Sequence, residues 1–249
     1  MLDFIKKVRS FFLPPTYEGF YEDISSLSAF KKNYQENQLI SIYLKEILLD
    51  SNPLATRQNA IRESLKEHLL KSTTTIRVLD FGGGAIELYS WIISNDLPID
   101  QIEYSLLETP KMVAALKLQQ TLNIRNIKLL SEFDFEDNYD IIFVGSSLQY
   151  FKDYKQTVSY LSNHCRSLYI EDIPISNHSR FASLQVNVKN FGSEGLPVWI
   201  FNEKELIDDL NNTGLQLTYS EIHRNRVKIK NGPKKVQCKS KSFIFKQPK

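Results

Sequence analysis

A carboxylate and three consecutive glycines stand together in the segment RVLDFGGGAIELY, residues 77–89. Apolar residues lead into Asp80, and Gly82, Gly83 and Gly84 follow before a helical pattern begins. Glycine lets the backbone turn sharply and come close to a ligand, because no Cβ stands in the way. In a parallel α/β sheet, ligands bind beyond the carboxyl ends of the strands. We therefore expect a ligand-binding turn at this position.

The charges around the turn discriminate between ligands. A dinucleotide fingerprint that begins at Gly82 needs glycine at position 87, where the sequence has Glu87, and the Gly-Lys-Ser/Thr of a P-loop is absent. A pyrophosphate would meet Asp80 and Glu87 at close range, which is electrostatically unfavourable. A ligand with an ammonium and a carboxylate would gain from the acid and from free backbone N–H groups. The amino-acid end of S-adenosylmethionine carries both charges.

The segment VLDFGGG resembles the glycine-rich first motif, D/E-x-G-x-G, of the class I S-adenosylmethionine-dependent methyltransferases. The resemblance implies that Asp80 and Gly82, Gly83 and Gly84 bind this cofactor. In that family an acid at the end of the second strand holds both ribose hydroxyls. Glu108 in YSLLETP, 24 residues after Gly84, has the matching position and a spacing close to that of a ribose-binding acid. A solvated residue beside a helix N-terminus is the alternative interpretation of Glu108.

Two later segments complete the cofactor site that the resemblance implies. The family has a polar or acidic residue after the third strand, near the adenine, and Asp134 in SEFDFED is the candidate. After the fourth strand, the segment DIIFVGSSLQYF places Ser146 and Ser147 where the family's loop lines the cofactor and faces the substrate. We expect cofactor contacts from all three residues.

A narrower resemblance covers residues 12–215. The segments LPPTYEGFYEDISSLSA, LDFGGGAIELY, LETP, SSLQYF, IEDIPIS, LQV and LPVWIFNEKEL are similar, in the same order, to a family of methyltransferases often encoded among bacterial surface-polysaccharide genes. This resemblance implies O-methylation of a carbohydrate or surface-glycan precursor. Family members commonly have an arginine after the acidic pair that ends the fifth strand, whereas this chain has Glu171, Asp172 and Ile173.

Methyl transfer from a sulfonium depends mainly on positioning, which supplies roughly 7–11 kcal/mol. A sugar hydroxyl is a poor nucleophile near neutral pH, so a general base contributes as well. His178, just after the fifth strand, is the preferred candidate, and Asp172 or Tyr150 are its substitutes. A surface histidine in a loop is the alternative interpretation of His178.

Alternating strand and helix patterns predict an α/β fold with a doubly wound, mostly parallel Rossmann-like methyltransferase sheet. We assign residues 71–249 to the catalytic domain, with an antiparallel hairpin at its C-terminal end, and residues 1–70 to an N-terminal helical cap. The strand patterns lie at 76–81, 102–108, 127–131, 139–145, 167–173 and 215–222, and the helical patterns at 86–95, 110–122, 153–165 and 203–212.

Composition narrows the class of protein. The 249 residues are 42% hydrophobic, which is enough for a sizeable core. Cys165 and Cys238 are too few for a disulfide framework and lack the spacing of a zinc site, so we predict no metal and a reducing cytoplasm. No apolar run is long enough to cross a bilayer.

Charge is unevenly distributed along the chain. Ten Lys or Arg and no acid follow Glu221. A solvated hairpin edge protected by lysines is favoured over an anionic partner as the explanation of this basic segment. Since the sequence has no Asn/Asp-Pro-Pro-Tyr or Pro-Cys motif, we expect no nucleic-acid partner.

Residues 2–13 form a basic amphipathic pattern. That segment either packs on the domain or lies on an anionic membrane, and the second case would make residues 1–13 a peripheral contact on the inner membrane face.

Two other functions remain open at the level of sequence. A nicotinamide-dependent sugar-nucleotide enzyme would use the same type of fold, although position 87 argues against it. A methyltransferase fold without catalysis would act as a binding protein and bind the cofactor weakly or not at all.

Overall fold

The computed structural model describes residues 16–27, 59–84, 86–119, 127–132, 137–186, 195–233 and 236–248. Strands and helices alternate over most of these ranges. The helices are α1 (Ala60–Lys71), α2 (Glu87–Ser94), α3 (Pro110–Gln119), α4 (Tyr154–Asn163) and α5 (Glu203–Asn211). The strands are β1 (Thr16–Tyr21), β2 (Ile76–Phe81), β3 (Ile102–Leu107), β4 (Ile127–Leu130), β5 (Tyr139–Gly145), β6 (Cys165–Ser176), β7 (Phe181–Gln185), β8 (Leu196–Asn202), β9 (Gln216–Lys230) and β10 (Cys238–Lys246).

The parallel part of the sheet has the strand order β4-β3-β2-β5-β6. The chain proceeds outward from β2 through β3 and β4 and then returns to place β5 on the other side of β2. The direction of winding therefore reverses between β2 and β5. The crevice beyond the carboxyl ends of the strands at such a reversal is the usual ligand site of an open α/β sheet.

Both faces of the parallel part are covered, as a doubly wound sheet requires. Ile76 and Val78 of β2 pack with the apolar sides of α1, α2 and α3, whereas Leu79 and Phe81 pack with those of α4 and α5. This division follows from the strand period of two, which sends successive side chains to opposite faces. None of the described helices reaches the length and apolarity that spanning a bilayer requires.

The C-terminal hairpin extends the sheet, as the sequence predicts. β9 and β10 pair antiparallel over most of their length, and β10 also pairs antiparallel with β6. β9 runs without interruption from Gln216 to Lys230, so the separate strand pattern at 215–222 is the first half of one long strand.

The sequence patterns did not predict the strands β1, β7 and β8, which complete a closed ring with strands β6, β9 and β10. β1 lies between β7 and β9, β7 pairs with β8, and β8 pairs with the last residues of β6. Because β10 joins β6 to β9, the strands β6, β8, β7, β1, β9 and β10 form a closed ring, which we call the accessory ring. An apolar cluster on these strands contains Tyr17, Phe181, Val198, Ile200, Val227 and Cys238.

The helical cap expected over residues 1–70 is wrong where the structure describes residues 16–21. These residues form strand β1, which pairs with residues 181–185 and 228–230. Helix α1 agrees with the helical pattern near residue 70. The rest of the predicted cap, including the amphipathic segment 1–13, lies outside the described residues, and the boundary at residue 70 stays a prediction.

Candidate functional site

The glycine turn lies at the carboxyl end of β2, at the reversal in strand order. Gly82 and Gly84 have φ angles of +69° and +48°, in the left-handed region that favours glycine. A Cβ on Gly82 would lie 2.6 Å from the Cβ of Ser147, and a Cβ on Gly83 would lie 2.1 Å from Oδ2 of Asp80. Gly82 therefore requires glycine for conformational and steric reasons and Gly83 for steric reasons, while the φ angle of Gly84 favours glycine.

The carboxylate beneath this turn is Asp80, which is 1% exposed. The phenol of Tyr104 donates a hydrogen bond of 2.6 Å to its Oδ2. Burial raises the pKa of Asp80 to about 7, and the hydrogen bond from Tyr104 opposes this only in part. A cationic group placed beside this carboxyl would favour its ionised form.

Glu108 joins the end of β3 to the glycine turn. The backbone N–H of Gly84 donates to Oε1 of Glu108 at 2.7 Å, and the N–H of Thr109 donates to Oε2 at 3.0 Å. The N–H of Gly82 donates to the carbonyl oxygen of Leu107 at 2.9 Å. The two residues that the sequence places 24 positions apart are therefore in direct contact, and Glu108 remains partly exposed at the crevice.

The end of β5 completes this side of the crevice. Ser147 donates a hydrogen bond from Oγ to the carbonyl oxygen of Phe81 at 2.8 Å, and the N–H of Ser146 donates to the carbonyl oxygen of Glu171 at 2.9 Å. Both serines thus lie at the reversal point with the glycine turn. Asp134 lies outside the described residues.

Helix α1 brings a buried ion pair to the same edge of the sheet. Arg62 contacts Glu171 with Nε at 3.0 Å from Oε1 and Nη2 at 3.0 Å from Oε2. The two side chains are 1% and 2% exposed, and Asn59 donates a further hydrogen bond of 2.6 Å to Glu171. The guanidinium also lies over the rings of Trp91 and Phe143, at 5.7 and 5.9 Å from their centroids. The charge of Arg62 lowers the pKa of Asp80 and so opposes part of the effect of burial.

Sequence reasoning missed Arg62 and Tyr104 as members of the site. Arg62 occupies the apolar stripe of α1 together with Ile61, Leu65 and Leu69, and a charged residue on a buried stripe is a signal that could have identified it. Tyr104 stands in an ordinary strand pattern and carries no comparable signal.

Two of the proposed proton-transfer residues lie together beside the crevice. Asp172 has a φ angle of +56°, and its Oδ1 accepts a hydrogen bond from the hydroxyl of Ser240. Tyr150 donates a hydrogen bond of 2.9 Å to Oε1 of Gln185. Burial raises the pKa of Tyr150 to about 12, and the nearby charge of Asp172 adds to this. Tyr150 is therefore protonated at neutral pH, which suits a hydrogen-bond donor better than a base.

None of the contacts that the structure gives His178 is with a residue of the crevice: they are with Ser176, Ser179 and Asn202, and with the rings of Phe20 and Phe181. Glu171 pairs with Gly145, the last residue of β5, and β6 continues to Ser176 before His178 follows. His178 is exposed, with its ring 5.1 Å from that of Phe20. Its role as a base stays a prediction.

The chain has the fold of S-adenosylmethionine-dependent methyltransferases. The 1,6-didemethyltoxoflavin-N1-methyltransferase of Burkholderia thailandensis, with bound 1,6-didemethyltoxoflavin and S-adenosylhomocysteine, is similar with a TM-score of 0.50 and 14% identity, over 86% of this chain and 88% of that chain. An S-adenosylmethionine-dependent methyltransferase from Clostridium acetobutylicum has a TM-score of 0.52 and 13% identity, over 86% and 99% of the two chains.

A third solved structure is the N-terminal domain of EvdMO1 in the presence of S-adenosylhomocysteine and D-fucose. It has a TM-score of 0.53 and 12% identity, over 78% of this chain and 84% of that chain. Neither a protein-family model nor a curated protein matches the sequence. These likenesses therefore define the fold.

Proposed function

We propose that this protein is an S-adenosylmethionine-dependent methyltransferase. The observation that carries the proposal is the position of Asp80, whose buried carboxyl lies directly against the glycine turn at the reversal point of the sheet. A polyphosphate at this turn would face an acid, whereas an amino-acid ammonium would gain from it. The solved structures of the same fold are methyltransferases, which supports the same choice.

The residues of the crevice fit the proposed cofactor. Gly82 packs directly on Ser147 and Gly83 on Asp80, so the turn holds the acid at the reversal point of the sheet, where the ammonium of the cofactor would bind. In this proposal Glu108 accepts hydrogen bonds from the ribose hydroxyls, and its contact with the N–H of Gly84 at the crevice supports that role. When bound, the cofactor supplies a methyl group that the positive charge on sulfur has already activated.

The acceptor that we propose is a hydroxyl group of a carbohydrate or surface-glycan precursor. The support is the ordered resemblance of seven sequence segments to methyltransferases encoded among surface-polysaccharide genes, and a structure of the same fold studied with D-fucose. Of the three residues predicted for proton transfer, Asp172 is the best placed to accept the hydroxyl proton, because it follows Glu171 at the edge of the crevice. Ser240 and Arg224 would hold its carboxylate in position, since Ser240 donates to Oδ1 and Nη2 of Arg224 lies 3.7 Å from Oδ2.

Calorimetric titration with S-adenosylmethionine tests the cofactor. We expect the wild-type protein to bind and Glu108→Gln to bind about 10- to 100-fold more weakly, because the amide loses charge-assisted hydrogen bonds to the ribose but still accepts the N–H of Gly84. Glu103→Gln is the matched control, since Glu103 lies on β3, the strand that Glu108 follows, with a side chain 65% exposed. No binding by the wild-type protein, or equal affinity in both variants, would remove this assignment.

A further inference from the structure

A polar cluster lies next to the cofactor crevice, between the end of β5 and the accessory ring. We call it the ring-side cluster. It draws on five separate strands or turns, and two of its members come from β1 and β7, which the sequence patterns did not predict. Its members are Tyr17, Gln149, Tyr150, Asp172, Gln185 and Arg224.

Contacts among these side chains show that they form one group. Tyr150 donates to Gln185, and Nη2 of Arg224 lies 3.7 Å from Oδ2 of Asp172. Burial raises the pKa of the Tyr17 phenol well above its usual range, with further contributions from Tyr150 and Asp172. Strand β1 therefore places a buried phenol beside the two residues that adjoin the crevice.

Gln149 connects the cluster to the crevice. Its side chain is buried, at 4% exposure for the residue, and Nε2 donates a hydrogen bond of 2.6 Å to the carbonyl oxygen of Ser146. This bond fixes the orientation of the amide, because only the NH₂ group can donate to a carbonyl. Oε1 is buried and accepts no hydrogen bond from any residue that the structure describes. Buried acceptors are normally satisfied, so this atom suggests a missing donor.

The charges of the cluster indicate what kind of donor fits. Its one carboxylate and its one guanidinium face each other, and the other members are neutral phenols and amides. A charged ligand would find no uncompensated partner among these side chains. Hydroxyl groups, which both donate and accept, match phenols and amides.

We propose that the ring-side cluster is the acceptor subsite and that it binds a neutral polyhydroxylated ligand such as an uncharged sugar ring, with one ligand hydroxyl donating to Oε1 of Gln149. The inference rests on the proposed function for the reaction that the bound ligand undergoes. It also gives the accessory ring a role, since β1 and β7 supply Tyr17 and Gln185 to the ring-side cluster.

Ligand-observed saturation-transfer NMR tests this subsite with defined probes. The probes are D-glucose, D-galactose and D-fucose as neutral sugars, and D-glucuronate and D-glucosamine as charged ones, each with and without S-adenosylhomocysteine. We expect at least one neutral sugar to bind and to bind more tightly than either charged sugar. Gln149→Met should weaken that binding about 3- to 10-fold, as expected for one lost hydrogen bond.

Two further variants keep the test decisive. Gln101→Met makes the same replacement at an exposed residue before β3 and should leave sugar binding unchanged. Tyr17→Phe removes only a hydroxyl and should also weaken sugar binding, which covers the case in which Gln149→Met fails to fold. Melting curves of all variants report folding.

The outcomes separate this inference from the proposed function. Absence of neutral-sugar binding, preference for a charged sugar, or unchanged binding in both Gln149→Met and Tyr17→Phe would overturn the subsite. If S-adenosylhomocysteine binds while the sugars do not, the subsite alone fails. If the sugars bind through Gln149 and S-adenosylhomocysteine does not bind, the subsite stands and the proposed methyltransferase function fails.

Discussion

The crevice at the glycine turn and the ring-side cluster are adjacent but differ in charge. The crevice contains Asp80, Glu108 and the Arg62–Glu171 pair, so its buried polar groups are mostly ionisable. The ring-side cluster has neutral phenols and amides around one compensated pair. Two such surfaces select different ligands, because a buried acid attracts a cation while neutral groups match hydroxyls. The difference suits an enzyme that holds a charged methyl donor beside an uncharged acceptor.

The largest effect is expected from removal of the cation in the crevice. Arg62→Met leaves Glu171 buried without its partner and should lower the free energy of unfolding by about 3–5 kcal/mol. Urea denaturation measures the change. Lys71→Ala on the same helix breaks an exposed pair with Glu67 and should cost no more than about 0.5 kcal/mol. Equal losses in the free energy of unfolding would show that the buried ion pair contributes no more to stability than the exposed one.

The double variant Arg62→Met with Glu171→Met refines this prediction. Since both charges are removed together, much of the lost stability should return. A double variant no more stable than Arg62→Met would mean that packing on Trp91 and Phe143 accounts for the cost, instead of the uncompensated charge.

The second prediction concerns the steric contact below the turn. Gly83→Ala forces the Asp80 carboxyl away from its position and should weaken S-adenosylhomocysteine binding about 10- to 100-fold, as the loss of a hydrogen bond to a charged group does. Gly145→Ala is the control, because a Cβ there would meet Phe143 at an ordinary 3.5 Å. Titration calorimetry measures both. Full affinity in Gly83→Ala would contradict the proposed contact between the turn and the ligand.

The crevice could be predicted from the sequence to a greater extent than the accessory ring. β2 was predicted at its observed bounds, 76–81, and the contact of Gly84 with Glu108 follows from consecutive strand–helix–strand units, whose patterns are local. The pairing of β1 with residues 181–185 and 228–230 joins segments far apart in the chain. No local period encodes such a pairing, and β7 is a short strand without clear alternation. The apolar run LPVWIFN of β8 is a signal for a buried strand that sequence reasoning missed.

The third prediction uses the raised pKa of Asp80. Because the native carboxyl has a pKa of about 7 against about 3.9 in the unfolded chain, the native state retains a proton that the unfolded state loses between these values. Wild-type stability should therefore fall as pH rises from 5 to 8, by about 2–3 kcal/mol from this group. Asp80→Asn should lack this decline. Denaturation at the two pH values checks it, and parallel curves for the two proteins would refute the assigned titration.

Ligand affinity should show the opposite pH dependence. An ammonium beside Asp80 prefers the ionised carboxyl, so wild-type affinity for S-adenosylhomocysteine should increase from pH 6 to pH 8. Asp80→Asn should bind more weakly with little change over this range. An increase of the same size in the variant would assign the effect to another group.

The smallest effect is expected at His178, which follows strand β6 of the accessory ring. His178→Ala removes an edge contact with Phe20 and should lower the free energy of unfolding by about 0.5–1.5 kcal/mol. Its affinity for S-adenosylhomocysteine should stay within about twofold of the wild-type value, since its described contacts lie away from the turn. A tenfold loss of affinity would place His178 at the crevice after all.

The most direct measurement is a crystal structure after soaking with S-adenosylhomocysteine and NAD at equal concentration. The expected density shows the adenosyl compound alone, with its amino group near Asp80 and its ribose at Glu108. Density for NAD with its pyrophosphate on Gly82–Gly84 would contradict the account, and so would an adenosyl compound bound elsewhere on the protein.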